Sequence, residues 1–213
     1  MKIDLVYPKI PENSDKFHDK CIAFEKYDGT NLHWCWSVQE GWHKFGTRRT
    51  QFPFTRNGIA DFAKEHPELA PAPHLFNERL RDRLTVLFAR GNDWYRKFTL
   101  FTEFYGPNSF AGGHSDEDAR NDSQELILID LSCDKKILPP EEFLKVFKLI
   151  PGDIEFPTAQ VIYTGKYSGQ FAEDVRKGKY NVNEGVVVKG IVDGEVFMTK
   201  VKTKDYLKRL EKR

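Results

Sequence analysis

Lys26 stands in Glu25-Lys26-Tyr27-Asp28-Gly29-Thr30-Asn31, between a short apolar run and an Asp-Gly pair. A lysine amine is a poor nucleophile while protonated, and its unperturbed pKa is about 10.4. Desolvation or nearby positive charge frees its lone pair. An apolar strand ending in a glycine turn presents the amine at a cleft edge, and glycine tolerates the positive φ such turns use. Far along the chain, Lys200 and Lys202 are two apart, so on a strand they share a face. Two ammonium groups on one face are costly unless they meet an anion, and a triphosphate is the natural partner. Glu184 opens the run Glu184-Gly185-Val186-Val187-Val188-Lys189. On an ideal strand Glu184 and Lys189 face opposite ways, so a twist or bulge is needed if both serve one site. Glu103, within Phe101-Thr102-Glu103-Phe104-Tyr105-Gly106, can accept two hydroxyl donors at once. Arg48 and Arg49 lie between Thr47 and Thr50, and on a regular strand only one of the two can point into a given cleft.

The elements that must position these groups follow from periodicity. Residues 21–25 form an apolar run that reads as a strand entering the Asp-Gly turn. Over 31–38, Leu32, Trp34 and Trp36 alternate with His33 and Cys35, which is strand periodicity, and Gln39-Glu40-Gly41 turns the chain into a second strand over 42–49. Helices are expected over 58–66 and 74–90, separated by Pro67, Pro71 and Pro73. Residues 97–104 and 126–131 read as strands, with a long Gly/Asn/Asp/Ser-rich loop over 106–124 between them. Pro139-Pro140-Glu141-Glu142 looks like a helix start, and Ser168 can cap a helix that ends at Gly178. Residues 185–191 and 195–202 form a hairpin across Asp193-Gly194. Residues 1–20, with Pro8 and Pro11, read as an extended arm. The class is α+β, with antiparallel sheets carrying the chemistry.

The 213 residues are enough for one large domain or two small ones. With 33 basic and 32 acidic residues the net charge is +1, so a nucleic-acid binder would need its positive charge clustered in space. The spacing of Cys21, Cys35 and Cys133 fits neither a zinc pattern nor a disulfide framework, so reduced, partly buried thiols are expected. Neither a signal core nor a transmembrane-length stretch is visible, so no membrane partner is expected and a cytoplasmic location is the default.

The order of the segments around Lys26, Glu184–Lys189 and Lys200–Lys202 resembles the covalent nucleotidyltransferase superfamily of ATP-dependent DNA ligases, RNA ligases and mRNA capping enzymes. One Lys-x-Asp-Gly match is weak, but three segments in series with matching pieces between them are specific. Asn31 matches the Lys-x-x-Gly-x-Asn variant of RNA ligases, and Phe101–Gly106 resembles the segment whose acid holds the ribose. The resemblance implies a nucleotidyltransferase fold with antiparallel sheets flanking a nucleotide cleft; with about eleven residues after Lys202 the chain is expected to be one domain over 1–213 without an OB-fold domain, either free-standing or cut from a longer protein. The resemblance also implies Lys26 as the residue that becomes lysyl-AMP. Glu25, Tyr27, Asn31, Arg49, Glu103, Ile129, Lys189, Lys200 and Lys202 become nucleotide-binding candidates, and Glu184 the metal ligand.

In one place the chain departs from the family pattern. Ile129 precedes Asp130 where an aromatic often stacks on adenine, so an aliphatic contact is expected. No role attaches to His114 in the loop that follows Gly106. ATP and magnesium are the implied cofactors and a nucleic acid the implied partner, RNA in preference to DNA. A separate partner domain or protein is an open possibility. The implied reaction joins a 5′-phosphate to a 3′-hydroxyl. The alternatives are a minimal DNA ligase, or a nucleotidyltransferase that modifies a cap or a protein. Arg48, Arg56, Lys166, Lys177 and Lys179 are candidates for strand grip.

Overall fold

The computed structural model describes residues 5–12, 20–90, 96–109, 123–148 and 156–212. Most of the loop expected over 106–124, His114 included, lies outside the described residues. The chain divides into two compact units. The first comprises Met1–Tyr7, Gly29–Leu138 and Phe147–Thr158; the second comprises Pro8–Asp28, Pro139–Val146 and Ala159–Arg213.

The first unit is built on a six-stranded sheet of order β4-β3-β2-β5-β6-β7, formed by β2 (Gly29–Ser37), β3 (Gly41–Thr47), β4 (Gln51–Pro53), β5 (Lys97–Tyr105), β6 (Glu125–Cys133) and β7 (Lys136–Ile137). All its ladders are antiparallel. Both faces of β2 are buried over 32–37, with Leu32, Trp34 and Trp36 on one and His33, Cys35 and Ser37 on the other. Trp34 stacks on Phe45, with ring centres 5.6 Å apart, and on Phe76, with ring centres 4.0 Å apart and planes nearly parallel. Its indole N–H donates to Thr102 Oγ1 at 2.9 Å, so the large ring is buried with its polar atom satisfied. Phe76 closes α2 (Ala72–Phe76), which follows α1 (Arg56–Glu65) and a short 3₁₀ turn at Pro67–Leu69. The helix expected over 74–90 is interrupted by a π-turn over Asn77–Arg81 before α3 (Asp82–Arg90). Leu80, Leu84 and Phe88 are buried along it, as their spacing requires.

The second unit carries a four-stranded antiparallel sheet of order β10-β9-β1-β8, from β1 (Lys20–Lys26), β8 (Val161–Lys166), β9 (Gly185–Val192) and β10 (Glu195–Lys202). The Asp193-Gly194 turn has φ 52° and 80°, as a tight two-residue hairpin demands. One face of the sheet, with Cys21, Ala23, Val186, Val188 and Val201, packs on Phe171, Ala172 and Val175 of α5 (Gly169–Arg176). Ser168 caps α5 by accepting from Phe171 N–H at 3.1 Å, and Gly178 takes φ 73° just beyond its end. The opposite face receives Phe143 of α4 (Pro140–Lys148), edge-on to Phe24 at 6.2 Å. A last helix, α6 (Lys204–Glu211), is capped by Thr203.

All three cysteines are buried thiols outside any disulfide, in line with the reduced state expected. Cys21 donates its S–H to the Gly165 carbonyl at 3.1 Å, and burial pushes its thiol up to about 11. At pH 8 roughly one such thiol in a thousand is ionised. Native protein should therefore resist alkylation of Cys21 by iodoacetamide until denatured. Rapid modification by peptide mapping would contradict that burial.

Candidate active site

The ladder of the four-stranded sheet brings the lysines together. Lys26 lies opposite Gly185, and Gly185 opposite Lys202; one rank further in, Phe24 lies opposite Val187, and Val187 opposite Lys200. Residues opposed in a ladder share a face, so Lys26, Lys200 and Lys202 project from the side away from α5. Lys189 belongs to the next rank of the same face, between Ile22 and Met198. It is only 2% exposed, and its ammonium sits 4.8 Å over the Phe24 ring and 5.5 Å from that of Phe143. Glu25 alternates to the other face, opposite Val186, while Tyr27 follows the end of β1 and is half-buried.

Glu184 joins this cluster from outside the strand. Gly185 has φ 150°, and a Cβ there would stand 2.0 Å from the Val201 carbonyl oxygen. Glycine alone allows this close, strained approach. The kink is an irregularity of the kind expected if Glu184 and Lys189 serve one site, and it puts Glu184 on the lysine side. Its buried carboxylate bridges two ammonium groups, Lys26 Nζ at 2.7 Å and Lys202 Nζ at 3.3 Å. Lys200 Nζ pairs instead with Glu12 at 3.5 Å, and Lys200 N–H donates to the Pro11 carbonyl at 3.0 Å. The N-terminal arm thus binds the edge of β10 at Glu12 and Lys200.

A contact absent from the sequence reading comes from α6. The Tyr206 hydroxyl donates to Asp28 Oδ1 at 2.9 Å, while the Lys202 ammonium sits 5.1 Å over its ring. Burial, then the Glu184 and Asp28 carboxylates, push the Tyr206 phenol far up, so it stays a proton donor. Because both carboxylates act on Tyr206, Asp28 and Glu184 occupy one neighbourhood. Among the described residues no group of three or more His, Cys, Asp or Glu could hold a metal. Two hard carboxylates still fit magnesium, which keeps several waters and completes its shell with substrate phosphates.

The first unit holds the remaining candidates. Asn31 and Glu103 are directly opposed between β2 and β5. Asn31 Nδ2 also reaches the Thr102 carbonyl at 3.4 Å. On the same face, Tyr7 packs on Phe101 with ring centres 4.9 Å apart and donates to buried Asp130. Burial first, then Asp130, raise the Tyr7 phenol; Glu103 adds to this and Arg48 opposes it, so all four groups lie within electrostatic reach. Ile129 falls where the β5–β6 register shifts, and β6 carries one residue more than β5 there.

Two expectations are corrected. Gly29 does not take a positive φ; it opens β2, where a Cβ would stand 2.2 Å from the Phe104 carbonyl oxygen. Close approach of β5, not turn geometry, requires glycine there. The strand expected over 42–49 ends at Thr47, so Arg48 and Arg49 sit in a turn and strand alternation does not sort them. Thr47 Oγ1 accepts from Arg49 N–H and Thr50 N–H, each at 3.2 Å, which fixes that turn. It is Arg48 whose charge reaches Tyr7 beside Glu103.

Of the strand-grip candidates, Lys177 pairs with Glu173 at 3.5 Å and Lys179 with Asp174 at 2.7 Å, so part of that charge is compensated. Arg56 and Lys166 are exposed.

The sequence profile of the RNA ligase family matches residues 19–202, a span running from the entry to β1 to the last residue of β10. The chain belongs to the RNA ligase family. No curated protein matches it closely. Among solved structures, an archaeal ATP-dependent RNA ligase is similar at 17% identity and a TM-score of 0.60, over 96% of this chain and 50% of that one. A Naegleria gruberi RNA ligase with pyrophosphate is similar at 15% identity and a TM-score of 0.61, over 100% and 61% of the two chains. A mutant of that ligase with AMP and manganese gives 18% and 0.62, over 93% and 54%. These likenesses show an α+β fold with antiparallel sheets like that of RNA ligases. The chain spans only 50–61% of these ligases' own lengths.

Proposed function

We propose that this RNA ligase family chain adenylylates itself on Lys26 with ATP and joins a 5′-phosphate to a 3′-hydroxyl in RNA-containing strands. The observation that carries the reading is the Lys26–Glu184–Lys202 cluster on one sheet face. In the first step the Lys26 amine, having lost its proton, attacks the α-phosphorus of ATP. The bond from that phosphorus to the bridging oxygen breaks and pyrophosphate leaves. In the second, a 5′-phosphate oxygen displaces the lysine and takes AMP. In the third, a 3′-hydroxyl displaces AMP and the strand is sealed.

The chain's residues divide this work. Lys26 paired with Glu184 is an ammonium and does not attack; Glu184 keeps it at the face until the proton leaves. Lys200 and Lys202 offer positive charge where the phosphate charge concentrates in the transition state. Glu184 and Asp28 are the groups that would hold magnesium, which when bound neutralises phosphate charge. Glu103 and Asn31, adjacent on their own sheet, suit ribose hydroxyl recognition.

The test is incubation with α-labelled ATP and magnesium, then with 5′-phosphorylated strands. Label on Lys26 that is acid-labile and alkali-stable is the expected phosphoramidate. Strand grip through dispersed basic residues should be weak and salt-sensitive, because phosphate contacts release counterions. Raising salt to physiological levels should therefore cut RNA sealing much more than self-labelling, which needs no strand. Sealing of all-DNA nicks alone would favour a minimal DNA ligase. Label transfer with no sealing of any strand would favour a cap- or protein-modifying enzyme.

A further inference from the structure

Of the three lysine-bearing segments, that of Lys26 is far from α6 in the chain, yet α6 and its cap residue Thr203 touch all three. Tyr206 bonds Asp28, two residues after Lys26, and its ring lies under the Lys202 ammonium. Thr203 N–H donates to the Glu184 carbonyl at 2.9 Å, and Thr203 Oγ1 donates to the Asn183 carbonyl at 3.0 Å. Arg209, whose guanidinium sits 5.6 Å from the centre of the Tyr206 ring, donates to Asn183 Oδ1. Tyr206 N–H in turn donates to Thr203 Oγ1 at 3.2 Å, so the cap that starts α6 also fixes where the ring stands. Tyr206 is only 5% exposed. One hydroxyl and one ring face thus join the Lys26 turn to the Lys202 strand end.

We infer that Tyr206 is a positioning residue for the adenylylation step. Its hydroxyl orients the Asp28 carboxylate and its ring holds the Lys202 ammonium toward Glu184. An Asp28 carboxylate tied through Oδ1 has its other oxygen aimed in one direction. A lysine ammonium resting on a ring face is attracted electrostatically, and it loses much of its rotamer freedom. Tyr206 acts through these neighbours and is not itself placed on substrate. The inference rests on the ligase reading above.

The experiment combines two measurements. The first is single-turnover self-labelling with α-labelled ATP in the parent, Tyr206→Phe and Tyr206→Leu, each assayed well below its unfolding midpoint. Tyr206→Phe keeps the ring and removes only the bond to Asp28. Its maximal rate should fall about 10-fold, with the half-saturating ATP concentration changed less than about twofold. Tyr206→Leu removes both supports, so its rate should fall about 100-fold and half-saturation should rise as Lys202 loses its seat. The second measurement is the thermal stability of Tyr206→Phe, Asp28→Asn and the double variant, which needs no nucleotide. The double variant should lose no more than the worse single one, because both remove the same bond.

Parental rates in Tyr206→Phe would overturn the inference, as would two stability losses that simply add. A lowered midpoint with an unchanged rate would show a structural role only. A parent that takes no label in the first assay would instead overturn the ligase reading and the rate claim together, and the stability cycle would still report on the Tyr206–Asp28 bond.

Discussion

Lys26→Ala is expected to abolish covalent labelling by α-labelled ATP while the protein stays folded. Removing the amine removes the atom that bonds to phosphorus, so the loss has no partial form. The fold should survive because Glu184, though its side chain is only 3% exposed, keeps Lys202 at 3.3 Å. A buried carboxylate left with no cation would be strongly destabilising. With one of its two cations retained, the cost is on the order of 1–2 kcal/mol. The check is autoradiography of the variant beside its thermal midpoint, with peptide mapping of any residual label. Label at the parental level would remove Lys26 as the nucleophile.

Lys202→Ala should be the next most damaging change. Loss of one donor aimed at developing phosphate charge costs about 2.7–4 kcal/mol in the transition state, or a rate loss of 10²–10³. A second effect follows from the shared carboxylate. Without Lys202, the charge of Glu184 falls wholly on Lys26 and holds it in the protonated form that cannot attack. Labelling by the variant should therefore recover part of its rate as pH is raised, and recover more than the parent does. Lys200→Ala should also depress labelling, but without that recovery, since its partner is Glu12. Near-parental rates in both variants would refute a phosphate-facing role for the pair.

Much of this site could be read in the sequence because strand chemistry is local. The two-residue spacing of Lys200 and Lys202 and the Asp193-Gly194 turn fix a hairpin without knowledge of anything else. The alternation of Leu32, Trp34 and Trp36 with His33 and Cys35 likewise marked β2 as a strand, though both of its faces are buried there. The irregularity at Glu184 needed more than strand parity: it was expected because the family resemblance puts Glu184 and Lys189 in one site. What escaped depends on contacts between distant segments. Tyr206 meets Asp28 across 178 positions, and Tyr7 meets Asp130 across 123. A tyrosine in a basic helix and one in a polar arm carry no local sign of such partners. The edge strands β4, β7 and β8 also escaped, because short or half-exposed strands lack a strong apolar period. Strand alternation could not sort Arg48 from Arg49 either, because the strand ends at Thr47 and both lie beyond it.

The register of the second sheet dictates what this chain must endure while it is being made. Strand β1 pairs with β8 and β9, and 158 positions separate Lys26 from Glu184. At about 5–20 residues per second, a ribosome takes on the order of ten to thirty seconds to supply those partners. Until β8 is made Cys21-Ile22-Ala23-Phe24, all buried in the finished sheet, has neither ladder neighbour, and until β9 is made it has only one. An apolar strand waiting in this way is a template for association with other nascent chains. Lys20 at one end and Glu25 and Lys26 at the other put charge on both sides of that run, a placement that disfavours such association. The charge of Lys26 therefore matters before the sheet exists, because it borders the apolar run that waits for its partners.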